Sequence, residues 1–523
     1  MTGGASVSRR QIVKGLGAGA GLLAAAALAG SAGDEPGALR TAKDAPVGAG
    51  RPAVALTSID RGAVELAASS GPPFASRPDL RPPPIAIDVH RRPLAPGLVL
   101  TDCHGGSGQQ GPIIFTSTGE LVWFLPVSDH GGAARRAFNL RAQTYRGKPV
   151  LCWFEGEVVD SHGRGHYVVA DSNYATVATV HAADGLSGDL HDFFLTERGT
   201  AVLTAYGTAE ADLSGLGGSK SGTYLYGVIQ EVELATGKLV FSWRSDHHVA
   251  FGESYALPPP PPKGPPWDYF HINSVAVDPD DGHFVVSGRN TWAAYKIHRR
   301  TGEVIWRLGG RRSAFEMGRD ASFAYQHDVT PQRGGNYTIF DNEGAPWHKP
   351  PSRGIVLRLD EARRTATLVR QYRHSPAVRS DALGSVQEIP GRHVFIGWGT
   401  SAYFTEYDST GRVVLDGRLG GRGIESYRAF MSPWTGRPAA PPAVVVRRSG
   451  GRLSVYVSWN GATDVSYWRV LGGSAPGSLA AIGIAKKVGF ETRLVLSARR
   501  RFVAVEALDS SGRSLALSPA QGI

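Results

Sequence analysis

The feature that most narrows what this chain can fold into is a turn that recurs. A Thr-Gly pair followed by an alternating apolar strand occurs at Thr118-Gly119-Glu120-Leu121-Val122-Trp123 and again from Thr236, Thr301 and Thr410. Successive copies lie 118, 65 and 109 residues apart. Two of these intervals are close to twice the third, which places copies lacking the Thr-Gly signature at 175–180 and 366–370. Six turns at roughly 45–65 residues suit the four-stranded blades of a six-bladed β-propeller. A sandwich built from the same strands is disfavoured, because propeller closure leaves fewer edges unpaired.

Composition supports short strands: Gly 67 and Pro 34 punctuate a chain of 523 residues that is 42% hydrophobic, a pattern of many turns with an ordinary core. The propeller is assigned to 96–436. Residues 33–95 read as a Gly-, Ala- and Pro-rich lead-in and linker, extended rather than helical. The proline-rich stretch 258–266 excludes helix or central strand and reads as a stiff loop between blades. Beyond Pro441 the period changes to short strands at sandwich-like spacing, so 441–523 is read as a small C-terminal β-sandwich of fibronectin type III kind.

Residues 1–32 have the layout of a twin-arginine signal peptide: Arg9-Arg10, then Ile12 and Lys14, a Gly/Ala/Leu run, and small residues at Ala27, Ala29 and Ala32. The run is weaker than the roughly 20 strongly apolar residues of a spanning helix. The expectation is therefore a protein exported by the twin-arginine route, secreted or held at the cell envelope, with membrane contact only through this signal. Cys103 and Cys152, the two cysteines, face an oxidising compartment as one disulfide or as two buried thiols. The formal charge of +10 is scattered and forms no block, which argues against nucleic acid as partner and allows some attraction for anionic small molecules.

Chemistry concentrates in motifs at strand starts: His191-Asp192-Phe193-Phe194, Phe270-His271-Ile272-Asn273-Ser274 and Tyr325-Gln326-His327-Asp328-Val329. Equivalent positions of successive blades surround one channel, so His191, His271 and His327 are expected to converge. Alternation puts His271 and Asn273 on one face and turns Asp192 and Asp328 away from their neighbouring histidines. Orienting partners are then expected from other strands. His283, His298, His374 and His393 are read as solvated residues of turns and outer strands. The bland reading of a blade-start histidine is a hydrogen bond to the next blade; three matched positions favour a site.

Together these stretches resemble the bacterial arylsulfate sulfotransferases, closest to an actinobacterial and fungal branch. The resemblance rests on His271-Ile272-Asn273-Ser274, Val285-Val286-Ser287-Gly288-Arg289, the run from Gly302 to Gly310, Gln326-His327-Asp328 and Phe340-Asp341-Asn342. It implies a six-bladed propeller that needs no cofactor and moves a sulfuryl group from a phenolic sulfate ester to a phenolic acceptor. His327 matches the family's nucleophile, which forms a transient sulfohistidine. His271 matches a residue that binds the sulfate or helps the phenol leave, and His191 a second histidine that exchanges a proton with it. Asn273 and Arg289 match donors to the sulfuryl oxygens, the planar fork of arginine suiting a tetrahedral oxyanion. Two rival functions stand beside this one. The first is a non-catalytic exported propeller that binds an anionic or aromatic ligand or an envelope partner. The second is a metal-binding propeller built on three imidazoles, against which no His-x-His pair occurs and Asn273 and Arg289 favour an oxyanion. No metal ligand is assigned.

Overall fold

The computed structural model describes residues 65–68, 73–127, 135–262, 264–344, 350–497 and 499–523. The proposed signal, 1–32, lies outside the described residues. Among those described, the chain is all-β, broken only by short 3-10 turns, and no helix is long and apolar enough to cross a membrane.

From Leu98 onward the strands form antiparallel meanders taken in chain order. Gly111–Phe115 pairs with Leu98–Gly105 and Leu121–Phe124. A nine-stranded sheet then runs from Arg136–Tyr145 to Leu239–Arg244, its two halves joined only at Gly188↔Gly165. Three further sheets start at Ile272–Val277, His327–Gln332 and Ser385–Ile389. Ala429–Ser432 finally returns to pair with Leu98–Gly105, so the end of the array completes the sheet that began it. Strand interiors such as Phe284–Gly288 and His393–Gly397 are buried throughout, which marks sheets covered on both faces.

Side chains near the start of each first strand latch one sheet to the next. The carboxylate of Asp102 accepts from the Asn139 amide at 2.9 Å, and the Asn139 side chain donates to His191 O at 3.1 Å. Asp192 accepts from Val275 N at 3.1 Å, Ser274 from Val329 N at 3.1 Å, Asp328 from Val386 N at 3.0 Å and Ser385 from Ala429 N at 3.2 Å. These links pass through successive sheets and return to the first. Arg428, fully buried, sits among them 3.3 Å from both Asp192 and Asp328 and donates to Asn273 O at 3.0 Å. A buried guanidinium persists only with such partners, since desolvation alone would expel it.

Two described segments before Leu98 pair with later strands. Ile85–His90 adds to the outer edge of the sheet ending in Val413–Leu419, and Glu65–Ala68 pairs with Glu491–Leu496. Beyond Ala443 two sheets share one apolar core around Trp468, Val455, Val457, Leu494 and Val503. Asn460 clamps this part to the meanders through both the amide and the carbonyl of Phe124, at 3.0 Å each.

Cys103 and Cys152 are free and buried, so the expected alternative of a disulfide does not hold. They belong to different core clusters, one beside Phe115 and Phe404 and the other beside Phe154 and Tyr167. The Cys103 thiol points to Gly111 O at 3.5 Å, and burial pushes it up to about 12. His374 and His393 also depart from the solvated reading. His374 lies 3.1 Å from Asp416, His393 lies 2.6 Å from Glu406, and both are buried. A carboxylate compensates each imidazole, Glu406 from the neighbouring strand and Asp416 from the next sheet, pairings that strand position alone does not reveal.

Candidate functional site

Of the three strand-start histidines, His191 and His271 meet and His327 lies within range of their charge, by a device that alternation does not describe. The register slips between Gly188 and Phe193, between Ile272 and Ser274, and between His327 and Thr330. A bulge at each place re-aims the side chains beside it. His271 and Asp328 have φ of 53° and 51°, left-handed values that are costly for residues with a Cβ and that gather at functional sites.

His191 and His271 meet directly. Their Nε2 atoms are 3.2 Å apart, with rings edge-to-face at a centroid separation of 4.8 Å. Asp189 holds His191 Nδ1 at 2.7 Å, and Asp268 makes a short hydrogen bond to His271 Nδ1. The four groups form one line: Asp189, His191, His271, Asp268. Three hydrogen bonds along it require three protons, one more than two neutral imidazoles carry between two carboxylates. The Nε2–Nε2 contact is therefore a hydrogen bond only when the line carries a third proton. Burial, then Arg289 and His191, hold His271 well below the ordinary imidazole range. Burial also raises the Asp268 carboxyl, while at Asp189 the effect of burial is outweighed by His191 and its hydrogen bonds, and the carboxyl is lowered.

His327 is held differently. The Asn342 amide nitrogen donates to Ser380 O at 3.0 Å and Leu383 O at 3.2 Å, so its oxygen faces His327 Nδ1 at 2.8 Å and fixes the proton there. The Nε2 lone pair accepts a hydrogen bond from the Leu383 amide at 3.2 Å. Burial is the largest cause that holds His327 far below its usual value; Arg289 comes next, followed by His191 and His271. The imidazole is therefore neutral at physiological pH, the form in which it is a nucleophile.

Arg289 is half-buried at the end of Phe284–Gly288. Its amide donates to His271 O at 2.9 Å, and its guanidinium lies 4.3 Å from the Tyr325 ring centroid and donates to Asn290 Oδ1 at 3.2 Å. Asn273 is less free than expected. Its Nδ2 donates to Gln326 O at 2.6 Å, leaving one hydrogen, while its buried Oδ1 has no partner among the described residues. Asp192 and Asp328 point away from the neighbouring imidazoles, toward Arg428 and the adjoining sheet. The orienting groups do not all come from other strands, however. Asp189 lies on the same strand as His191, and Asp268 just precedes His271. The spacing Asp-x-His, present at 102–104 and 189–191, was the signal for such a pair; in the first sheet Asp102 holds His104 at 2.9 Å. Among the described residues no group of three or more His, Cys, Asp or Glu has the arrangement to hold a metal ion.

Buried imidazoles within range of the Arg289 guanidinium make a centre suited to an anionic, oxygen-rich group. The chain belongs to the arylsulfotransferase (ASST) family, whose model matches residues 141–420, more than half of its length and the whole of this site. No curated protein matches the chain. Solved structures resemble it only remotely. A protein of unknown function from Bacteroides caccae is 12% identical, covers 64% of this chain and 98% of its own, and has a TM-score of 0.40. Virginiamycin B lyase from Staphylococcus aureus is 9% identical, covers 71% and 97%, and has a TM-score of 0.28.

Proposed function

We propose that this member of the family is a cofactor-independent aryl sulfotransferase working through a sulfohistidine at His327. The observation that carries the reading is the state of His327, neutral, with its proton fixed on Nδ1 and its lone pair on Nε2, within range of the charges of Arg289, His191 and His271. In the first half-reaction Nε2 attacks the sulfur of the aryl sulfate and the S–O bond to the ring breaks. The departing phenolate, whose conjugate acid has a pKa of about 10, takes the proton shared by His191 and His271. In the second, the acceptor phenol returns its proton to that pair while its oxygen attacks sulfur and the S–N bond breaks. Arg289 and the free hydrogen of Asn273 neutralise the sulfuryl oxygens. The Leu383 amide, already beside Nε2, is at hand for the same oxygens once sulfur is bound.

The six sequential four-stranded meanders, counting the nine-stranded sheet as two, and the latch that returns to its first sheet support a six-bladed propeller followed by a fibronectin type III-like sandwich. Export by the twin-arginine route remains part of the same proposal. The test uses the purified full chain, 4-nitrophenyl sulfate and phenol, without nucleotide. Release of 4-nitrophenol that depends on phenol and disappears in His327→Ala supports the reading. Failure to turn over several aryl sulfates overturns it in favour of a binding module.

A further inference from the structure

Tyr206 connects the histidine pair to a second space. Its ring centroid lies 6.3 Å from that of His191, 6.1 Å from His271 and 4.9 Å from His162, while its hydroxyl donates to Ile272 O at 2.8 Å and fixes the ring. Beyond it opens a cavity of about 420 Å³ lined by His162, Arg164, Ser187, Tyr206 and Tyr226 among others, none of them acidic. Tyr226 is held flat by the Arg244 guanidinium, 3.8 Å from the ring centroid. It packs over Gly207, where any Cβ would collide with the phenol ring. The register sets Tyr206 opposite Gly227 and Tyr226 opposite Gly207, so the two rings project from opposite faces of the strand pair and Tyr206 is the one beside the histidines.

Two polar groups at this cavity lack partners. His162 is only 4% exposed, and its Nδ1 makes no hydrogen bond among the described residues. Arg164, two residues along the same strand, is exposed and has no ion pair or side-chain hydrogen bond among them. A buried imidazole nitrogen left unpaired is costly unless a ligand completes it. His162 also lies near enough to Asp268 and His271 to act on their charge, so the cavity belongs electrically to the histidine line.

We propose that this cavity is the aryl subsite and that it selects phenols carrying a ring carboxylate. The ring lies against Tyr206, the hydroxyl points toward His191 and His271, and the carboxylate is taken by Arg164 and His162. The assignment of the hydroxyl end rests on the transfer reaction proposed above. Arginine is the side chain whose geometry matches a carboxylate in two parallel hydrogen bonds.

The test is equilibrium binding to the full chain by calorimetry, comparing 4-hydroxybenzoate with its neutral analogue 4-hydroxybenzamide. The acid is expected to bind at least about tenfold more tightly, a typical gain for a charge-assisted pair. Arg164→Met, at an exposed position, should erase that difference and leave amide binding unchanged; His162→Phe should weaken the acid more than the amide. Equal binding of acid and amide, or a preference that survives Arg164→Met, overturns the subsite. Selective binding of the acid without turnover of any aryl sulfate keeps the subsite and removes the transferase reading. Turnover of 4-nitrophenyl sulfate with no carboxylate preference does the reverse.

Discussion

His191 and His271 share a hydrogen bond of 3.2 Å between their Nε2 atoms, and each imidazole is backed by its own aspartate. In the proposed reaction this pair hands one proton to the leaving phenol and takes it back from the acceptor. Its value to the reaction depends on how badly the leaving phenol needs a proton. His191→Gln should therefore slow transfer from phenyl sulfate far more than from 4-nitrophenyl sulfate, whose phenol leaves without help. The expected loss for the poor leaving group is on the order of 10²–10⁴ in kcat/KM. A uniform loss across donors of graded phenol pKa would contradict a proton-donating role.

Asn342 should prove as important as a residue that touches substrate. It sets the tautomer of His327 through a 2.8 Å contact while both its amide hydrogens are spent on Ser380 O and Leu383 O. Asn342→Leu is expected to cost about 10–100-fold in kcat/KM, the usual price of removing an orienting partner. Asn342→Asp should retain more activity and raise the His327 pKa, which a histidine-selective NMR titration reads independently of turnover.

Arg289 lowers the basicity of His327 by its charge. Arg289→Met should move the His327 titration upward toward the ordinary value of about 6.5. An unchanged NMR midpoint would show that the guanidinium does not reach this imidazole.

The same depression sets the sign of a stability effect. His327 is neutral when folded and takes up a proton when unfolded below about pH 6.5, so its contribution falls as pH drops through that window toward the lower folded value. His104 and His374, both raised, act in the opposite direction. The clean measurement is therefore a difference. His327→Gln should lose less Tm than wild type between pH 7.5 and pH 5.5; an equal loss would mean that the folded imidazole titrates normally.

Arg428 carries the structural counterpart of these claims. Removing it leaves Asp328 buried without its cation and Asp192 with only the Arg141 guanidinium, 3.2 Å away. Arg428→Met is expected to destabilise by about 3–5 kcal/mol in urea unfolding. A change below about 1 kcal/mol, the scale of exposed ion pairs, would show that Arg141 and the backbone amides satisfy the aspartates without it.

How much of this was legible in the sequence follows from what each signal depends on. Thr-Gly turns and alternating strands are local, so the meanders from Leu98 to Ser432 could be read directly, and strand-start position was enough to select His191, His271 and His327. The orienting groups were harder. Alternation correctly turned Asp192 and Asp328 away, yet it overlooked Asp189 on the same strand as His191. It had no means of foreseeing three bulges or the left-handed φ of His271 and Asp328. Asn342 was visible only as part of a motif, because its role depends on a carbonyl pair 38 and 41 residues away. Arg428 and His162 carry no local signature at all, since each acquires meaning from partners supplied by distant strands.

The most direct measurement is mass spectrometry of the protein quenched during reaction with 4-nitrophenyl sulfate in the absence of acceptor. Sulfuryl transfer through His327 predicts a sulfuryl adduct on the peptide that contains His327, lost on addition of phenol and absent from His327→Ala. Turnover with no adduct there, or an adduct on another residue that phenol discharges at the catalytic rate, would contradict it.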